Sequence, residues 1–276
     1  MENILLTEFL IFIVAILGGA LGSMIGLGGA IVITPILVTF MDIPIHHAIG
    51  ASLVATICTS TATSIVSLKS HGLTKEKLGL FLALATIFGA IFGAKLVLSM
   101  SPKPLFLIFG ITLIMVLVLS LRKRQNNINS KLSKTSTFLQ LNDEYVMFDK
   151  THKYNVSNPV LGFISMIGAG FIGGLLGIGA GLFKVLAMDK IMNIPFKVSA
   201  STSNFIMGMT GFAGASAYYF SDNIDPTITL PVALGALLGA TIGSKIMPLI
   251  DTKILRVIFF IIVLSATIQM ILKGLL

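Results

Sequence analysis

Charge is what this chain has least of. Only 11% of its 276 residues are Asp, Glu, Lys or Arg, against about a quarter in soluble domains. Hydrophobic residues make up 55%, and the mean hydropathy is +0.98. Apolar stretches of about 20 residues, enough to cross the hydrocarbon core of a bilayer, recur throughout, which excludes an ordinary soluble domain and points to a polytopic membrane protein. Cysteine occurs once, at Cys58. That excludes an internal disulfide and a cysteine metal cluster and reads as a small packing residue. Glu2 and Glu8 precede or enter the first apolar run without a Lys or Arg, so the cationic region of a signal peptide is missing. The net charge of +8 is spread over loops and segment ends rather than gathered in one patch with aromatics. This argues against a nucleic-acid partner and for membrane topology. There is no Gly-x-Ser-x-Gly elbow, His-Glu-x-x-His pair or carboxylate pair inside an apolar run, so nothing supports an intramembrane enzyme.

What the chain does have is a glycine cluster that occurs twice. A shift of 151 positions carries Gly22, Gly26, Gly28 and Pro44 onto Gly173, Gly177, Gly179 and Pro195, and Ala51-Ser52 onto Thr202-Ser203. After a one-residue slip Gly93-Ala94-Lys95 falls on Gly243-Ser244-Lys245. Two copies of one unit follow, roughly 4 to 121 and 159 to 275, giving a first transmembrane repeat over 1–121, a cytoplasmic polar linker over 122–157 and a second repeat over 158–276. Repeat-built transporters place their substrate near the bilayer midplane, where the copies meet.

Residues 4 to 41 are too long for one crossing, so the spacing predicts a break at Gly26 to Gly29, where a turn is cheapest. Its counterpart lies in the segment 159 to 192. Further spans are expected at about 45–68, 78–99, 105–121, 196–220, 227–248 and 254–275. The span from 45 is rich in Ser and Thr, and Gly89 and Gly93 make a small-xxx-small face suited to close helix packing. The linker is basic and polar, with a short amphipathic or strand pattern around Phe138 to Phe148.

The loop at 69–77 is basic, but its counterpart carries Asp222 and Asp225. If each broken segment returns to the side it came from, 16 of the 19 Lys and Arg lie inside; if each crosses once, 11 do. Omitting Lys95, Lys184 and Lys245, which sit near or within spans, narrows this to 14 inside and 2 outside, against 11 and 5. The positive-inside rule therefore favours inverted repeats with both termini outside.

A helix broken at membrane depth leaves N–H groups that lipid cannot satisfy. At the start of each second half-helix these groups and the helix dipole suit an anion. The candidate substrate-binding residues are Gly26, Gly28, Gly29 and Ala30 in the first copy, and Gly177, Gly179, Ala180 and Gly181 in the second. Ser52 and Ser203, at matching positions, add hydroxyls, and Asn204 adds an amide. Lys184, one turn into the second half-helix, is either an anion contact or a lysine snorkelling to the interface. The glycines do not follow a short strand, so a dinucleotide fingerprint is excluded. His46 and His47 lack counterparts in the second copy and read as interface residues rather than a metal site.

The doubled Gly-x-x-x-Gly-x-Gly-Gly pattern at Gly22 to Gly29 and Gly173 to Ala180, with Pro35 and the Ala51-Ser52 and Thr202-Ser203 pairs, resembles the TauE/SafE family of sulfite exporters and toluene-sulfonate uptake permeases. The resemblance covers both repeats. It implies secondary transport of a small sulfur-containing anion such as sulfite, a sulfonate or sulfoacetate across the inner membrane of a bacterium or archaeon, with no cofactor. Ala30, Ala180 and Leu186 depart from the pattern, the first two where glycine is common and the third where Pro35 has its counterpart. The expectation is an all-α polytopic membrane protein of two repeats, a carrier whose partners are the lipid bilayer and a small anion. A channel, a different organic anion, coupling to protons or to sodium, the direction of transport and the oligomeric state are left open by the sequence.

Overall fold

The computed structural model describes residues 2–25, 28–69, 73–121, 134–147, 150–246 and 252–275. The first broken segment becomes α1 (Glu2–Ile25) and α2 (Ala30–Phe40), followed by α3 (Ile45–Lys69), α4 (Glu76–Leu98) and α5 (Pro102–Leu121). A short α6 (Lys134–Phe138) and an antiparallel hairpin of β1 (Asp143–Met147) and β2 (Lys150–Tyr154) come next. The second broken segment is α7 (Pro159–Leu176) and α8 (Gly181–Leu186), which runs into a π-helical turn at Ala187–Ile191. The chain then forms α9 (Phe196–Tyr219), α10 (Pro226–Ile246) and α11 (Thr252–Leu275). Among the described residues six helices, α1, α3, α4, α5, α7 and α10, are long and apolar enough to cross a membrane. The protein is an all-α polytopic membrane protein with one small hairpin.

Its surface is apolar, as a lipid-facing surface must be, and its largely aliphatic interior also holds a set of polar side chains. Phe9, Leu17, Phe88, Phe92, Ile111, Ile164, Phe212 and Ile261 are exposed, whereas Thr34, Ser52, Thr56, Thr86, Thr202, Ser203 and Thr210 are fully buried. Lipid is as apolar as leucine, so burying leucine gives little drive, and close contact between small residues takes its place. The glycines of α4 and α7 do this. A Cβ at Gly93 would lie 2.2 Å from the Phe171 carbonyl oxygen, and one at Gly174 would lie 2.1 Å from that of Ala90. Thr86 sits on Gly170 and Ala90 on Gly174, so α4 and α7 run in the same direction. An equivalent seam joins α1 to α10, where Gly235, Gly239 and Gly243 lie against Phe12, Ile16 and Ala20. The first helix of each half thus packs on the third long helix of the other.

At the centre, Ser60 of α3 lies against Gly208 of α9, and Leu53 against Gly214, so these two helices run in opposite directions. α5 and α11 do the same, with Gly110 against Ile271 and Leu107 against Gly274. The half-helices double back: Gly18 of α1 lies against Ile33 of α2, and Gly22 against Gly29. In the second segment Gly173 lies against Ala180, and Gly162 against Met192. Asp42 and Asn193, 151 positions apart, both take positive φ, at 49° and 54°. Each precedes an Ile-Pro that opens the next helix.

The loops gather at two ends. At one, His46 Nε2 lies 3.3 Å from the Val97 carbonyl, Gly50 packs on the Asn223 carbonyl, and the Lys273 ammonium donates to the Val38 carbonyl and to Asp42. Asp225 receives Thr227 N–H and Oγ–H, which hold its carboxyl below the usual carboxylate range. At the other end, Thr74 Oγ1 meets Ser201 Oγ at 2.7 Å, and Lys75 bridges to Asp143 Oδ2 at 3.2 Å and donates to the Glu144 carbonyl. Residues 134–147 and 150–157, assigned by composition to a polar linker, are folded onto this end. Leu141, Tyr154 and Val156 are buried against Leu78, Met188, Met192, Ile194 and Val198. Three apolar side chains scattered among polar ones are too weak a pattern to register in composition. The basic run at 122–133 lies outside the described residues.

The packing seam makes a direct prediction. Gly93→Val drives a branched side chain into the Phe171 backbone, and overpacking of this kind typically costs about 1–3 kcal/mol. The expected outcome is a lower yield of monodisperse protein and a Tm several degrees down. An unchanged melting curve for the purified variant would show that α4 and α7 are not packed this closely.

Candidate functional site

The two glycine clusters form helix breaks, and the breaks come together. Gly28 and Gly179, one repeat apart, have φ of 78° and 67°, the left-handed region that glycine enters without strain. Gly177 closes α7 with φ 71° and donates its N–H to the Gly173 carbonyl, and Ala180 takes φ 50° ahead of α8. A Cβ at Gly28 would lie 3.8 Å from the Ile178 carbonyl oxygen, so the first break faces the second. Two side chains fill the ground between them. Thr56 Cγ2 and Met207 Sδ would stand 3.8 and 3.7 Å from that Cβ, and 2.8 and 3.3 Å from one at Gly179. Gly29 and Ala30 are buried at the start of α2, and Gly181 at the start of α8. The N–H groups of Gly29, Ala30 and Ile31, and of Ala180, Gly181 and Leu182, have no acceptor among the described residues. Gly26 lies outside the described residues.

The paired serines are buried one turn from this ground, but their hydroxyls are engaged. Thr34 Oγ1 donates to Ser52 Oγ at 2.7 Å, tying α2 to α3, and Ser203 Oγ donates to the Gly181 carbonyl at 3.2 Å, tying α9 to α8. Each serine therefore anchors the half-helix of its own copy. Thr56 Oγ1 is 2.9 Å from the Ser52 carbonyl and 3.5 Å from that of Gly177. Asn204 is half-buried; its carbonyl accepts from Ser60 Oγ, and its amide has no hydrogen-bond partner among the described residues. His46 and His47 stand at the loop end, and no group of three or more metal-binding side chains occurs among the described residues.

Lys184 does not snorkel. It is completely buried, and its Nζ lies 2.7 Å from Thr210 Oγ1, which is in turn 2.9 Å from Thr86 Oγ1. The lysine thus points from α8 across α9 to α4, one helical turn from Met207. Its nitrogen has that single polar partner among the described residues.

Residues 11–270 match the family model described as sulfite exporter TauE/SafE. The chain belongs to the TauE/SafE family. It is 30% identical to the probable membrane transporter protein YunE of Bacillus subtilis, over 97% of this chain and 98% of that protein. It is 26% identical to YdhB of the same organism over 91% of this chain and 95% of the relative. It is also 26% identical to MJ0441 of Methanocaldococcus jannaschii, over 90% of each. These too are named probable membrane transporter proteins. No solved structure matches the chain.

In this member of the family, sequence reasoning missed Thr56 and Met207, the side chains nearest both breaks. A signal for them existed. They are one turn past Ser52 and Ser203 and are themselves 151 positions apart, so the repeat shift that found the serines, carried one turn further, finds them. Thr86 and Thr210 had no such signal, since hydroxyls on a helix most often bond back to their own backbone.

The unequal space at the two breaks is testable. Gly28→Ala meets only left-handed strain, about 1 kcal/mol, whereas Gly179→Ala also presses on Thr56 Cγ2 at 2.8 Å. Thermal melts should therefore show Gly179→Ala the more destabilised of the two. Adding Thr56→Ser, which removes the obstructing methyl, should recover part of the loss. Equal melting of the two alanine variants would contradict this geometry.

Proposed function

We propose that the protein is a secondary transporter of a small sulfur-containing anion, sulfite or a sulfonate, held between the starts of α2 and α8. The observation that carries this reading is the meeting of two positive-φ glycine breaks, each opening a half-helix whose first N–H groups are unpaired. Converging donors and two dipole ends of the same sign suit a compact oxyanion. The family description supplies the sulfur chemistry. Gly28, Gly29 and Ala30 with Gly179, Ala180 and Gly181 would supply backbone donors, Asn204 would supply its amide, and Thr56 and Met207 would set the size of the space. Ser52, Ser203 and Gly177 would hold the half-helices in place.

The same reading takes 1–121 and 158–276 as inverted repeats whose broken segments return to the side they entered. It is supported by the opposite directions of the equivalent pairs α3 with α9 and α5 with α11, by the doubling back of α2 and α8, and by the charge count. Transport then consists of one half moving against the other around a shared site.

Two measurements test it. In a Cys58→Ala background, cysteines placed at Leu73 and Asn223 should react with an impermeant maleimide from opposite sides of the membrane. Labelling from one side would refute the inversion. Purified protein titrated with sulfite, thiosulfate, sulfoacetate, isethionate and sulfate should bind at least one sulfur oxyanion, and Gly28→Val should weaken that binding by at least about tenfold, since a β-branched side chain both resists positive φ and covers the N–H groups. A monodisperse Gly28→Val protein with wild-type affinity would move the site elsewhere.

A further inference from the structure

A fully buried lysine needs an account of its charge. An ammonium has three donors to satisfy, yet Lys184 Nζ has one polar neighbour among the described residues, the Thr210 hydroxyl at 2.7 Å. That hydroxyl is shared, since Thr210 Oγ1 also reaches the Ile206 carbonyl and Thr86 Oγ1, both at 2.9 Å. Among the described residues no carboxylate faces the lysine. α7 carries no ionisable residue, and those of α4 (Glu76, Lys77, Lys95) and α9 (Lys197, Tyr218, Tyr219) stand at the helix ends. Asp189, in the π-helical turn that follows α8, is 3.7 Å from Lys190. A neutral amine, with two hydrogens and a lone pair, fits this surrounding; an isolated buried ammonium does not.

We infer that Lys184 is the coupling site for a proton, taken up together with the anion. The inference rests on the anion site read above. With that site empty, the amine is neutral. When a monoanion settles at the start of α8, one turn from Lys184, its field inside a low-dielectric interior favours the ammonium, and a proton from the adjacent aqueous side binds Nζ without any bond being broken in the substrate. The loaded protein carries one added negative and one added positive charge, so the two cross as an electroneutral pair. A single amine beside one hydroxyl is not the set of oxygen ligands that a hard cation requires, which makes sodium the wrong partner for this site. The first copy has Ile33 at the corresponding position, so one transporter carries one proton.

The test uses isethionate, a sulfonate that is ionised throughout the working range and brings no proton of its own. Weakly buffered purified protein containing pyranine is titrated with isethionate at several pH values. The expected result is uptake of about one proton per anion bound, with affinity rising as pH falls, up to about tenfold per unit while the amine is neutral in the free protein. Lys184→Met should bind more weakly, with no proton uptake and no pH dependence. Thr210→Val, which removes the hydroxyl partner and leaves the titrating group, should keep the one-proton stoichiometry at reduced affinity. Wild-type protein that binds isethionate without proton uptake overturns the coupling and leaves the anion site standing, whatever the variants do. Proton uptake that survives in Lys184→Met overturns it equally. Failure of the wild type to bind isethionate at any pH sinks the sulfonate reading and this inference with it.

Discussion

A backbone N–H or C=O group inside a bilayer has no water to fall back on, and this constraint decides how the chain is built. An unbroken helix meets it alone. A broken one needs neighbours, and the two breaks here are wrapped by α3 and α9 in the middle of the molecule. Serving this enclosure, Thr34 and Ser52 fasten α2 to α3, Ser203 fastens α8 to α9, and the Gly18–Ile33 and Gly173–Ala180 contacts press each half-helix onto the helix before it. Among the described residues, the N–H groups at the two half-helix starts are left unpaired after all of this, and they are the ones that face each other across the middle of the molecule.

Enclosure of this sort demands close helix packing, and the seams of α4 with α7 and α1 with α10 provide it. Glycine faces carbonyl groups of the neighbouring helix at distances no Cβ would allow. Because each seam joins one half to the other, the halves are interlocked at their outer helices and meet again at α3 and α9. A movement of one half against the other must slide or tilt these seams as units. Smooth glycine surfaces with few interlocking side chains suit that motion better than a knobbed leucine interface would.

The sequence disclosed the parts that follow from periodicity. The long helices fall within a few residues of the expected spans, the breaks lie where glycine clusters, and Gly89 and Gly93 are packing residues as the small-xxx-small face implied. The candidate site was legible along the chain but not across it. Repeat arithmetic found Gly28 with Gly179 and Ser52 with Ser203, yet which side chains stand between the breaks depends on how α3 and α9 cross, and that is fixed by tertiary packing. Lys184 left two readings open for the same reason. Snorkelling or burial is decided by whether α8 is shielded from the interface, and its own residues carry no record of that. Of the hairpin, the strand β1 falls within the strand pattern read around Phe138 to Phe148, whereas β2 and the anchoring of both onto the helices escaped because the anchoring residues are few and spaced among charges.

The two halves share a backbone plan while differing in chemistry, and the differences gather in one place. Lys184, Thr210 and Thr86 have Ile33, Thr59 and Ala236 at the matching positions of the first copy, so the polar chain across α8, α9 and α4 is answered by a mostly apolar one across α2, α3 and α10. The half-helices diverge immediately downstream as well. α2 has Pro35, which lacks an N–H and frees a carbonyl one turn back, while α8 passes into a π-helical turn closed by Met192 N–H on the Ala187 carbonyl. Both devices loosen the ladder just beyond the half-helix start, by different means. The anion site proposed above would need similar backbone on both sides, and the halves keep that. A site that treated its two membrane faces differently would need unlike side chains around it, and the second half holds the buried Lys184 nitrogen on which the inferred coupling rests.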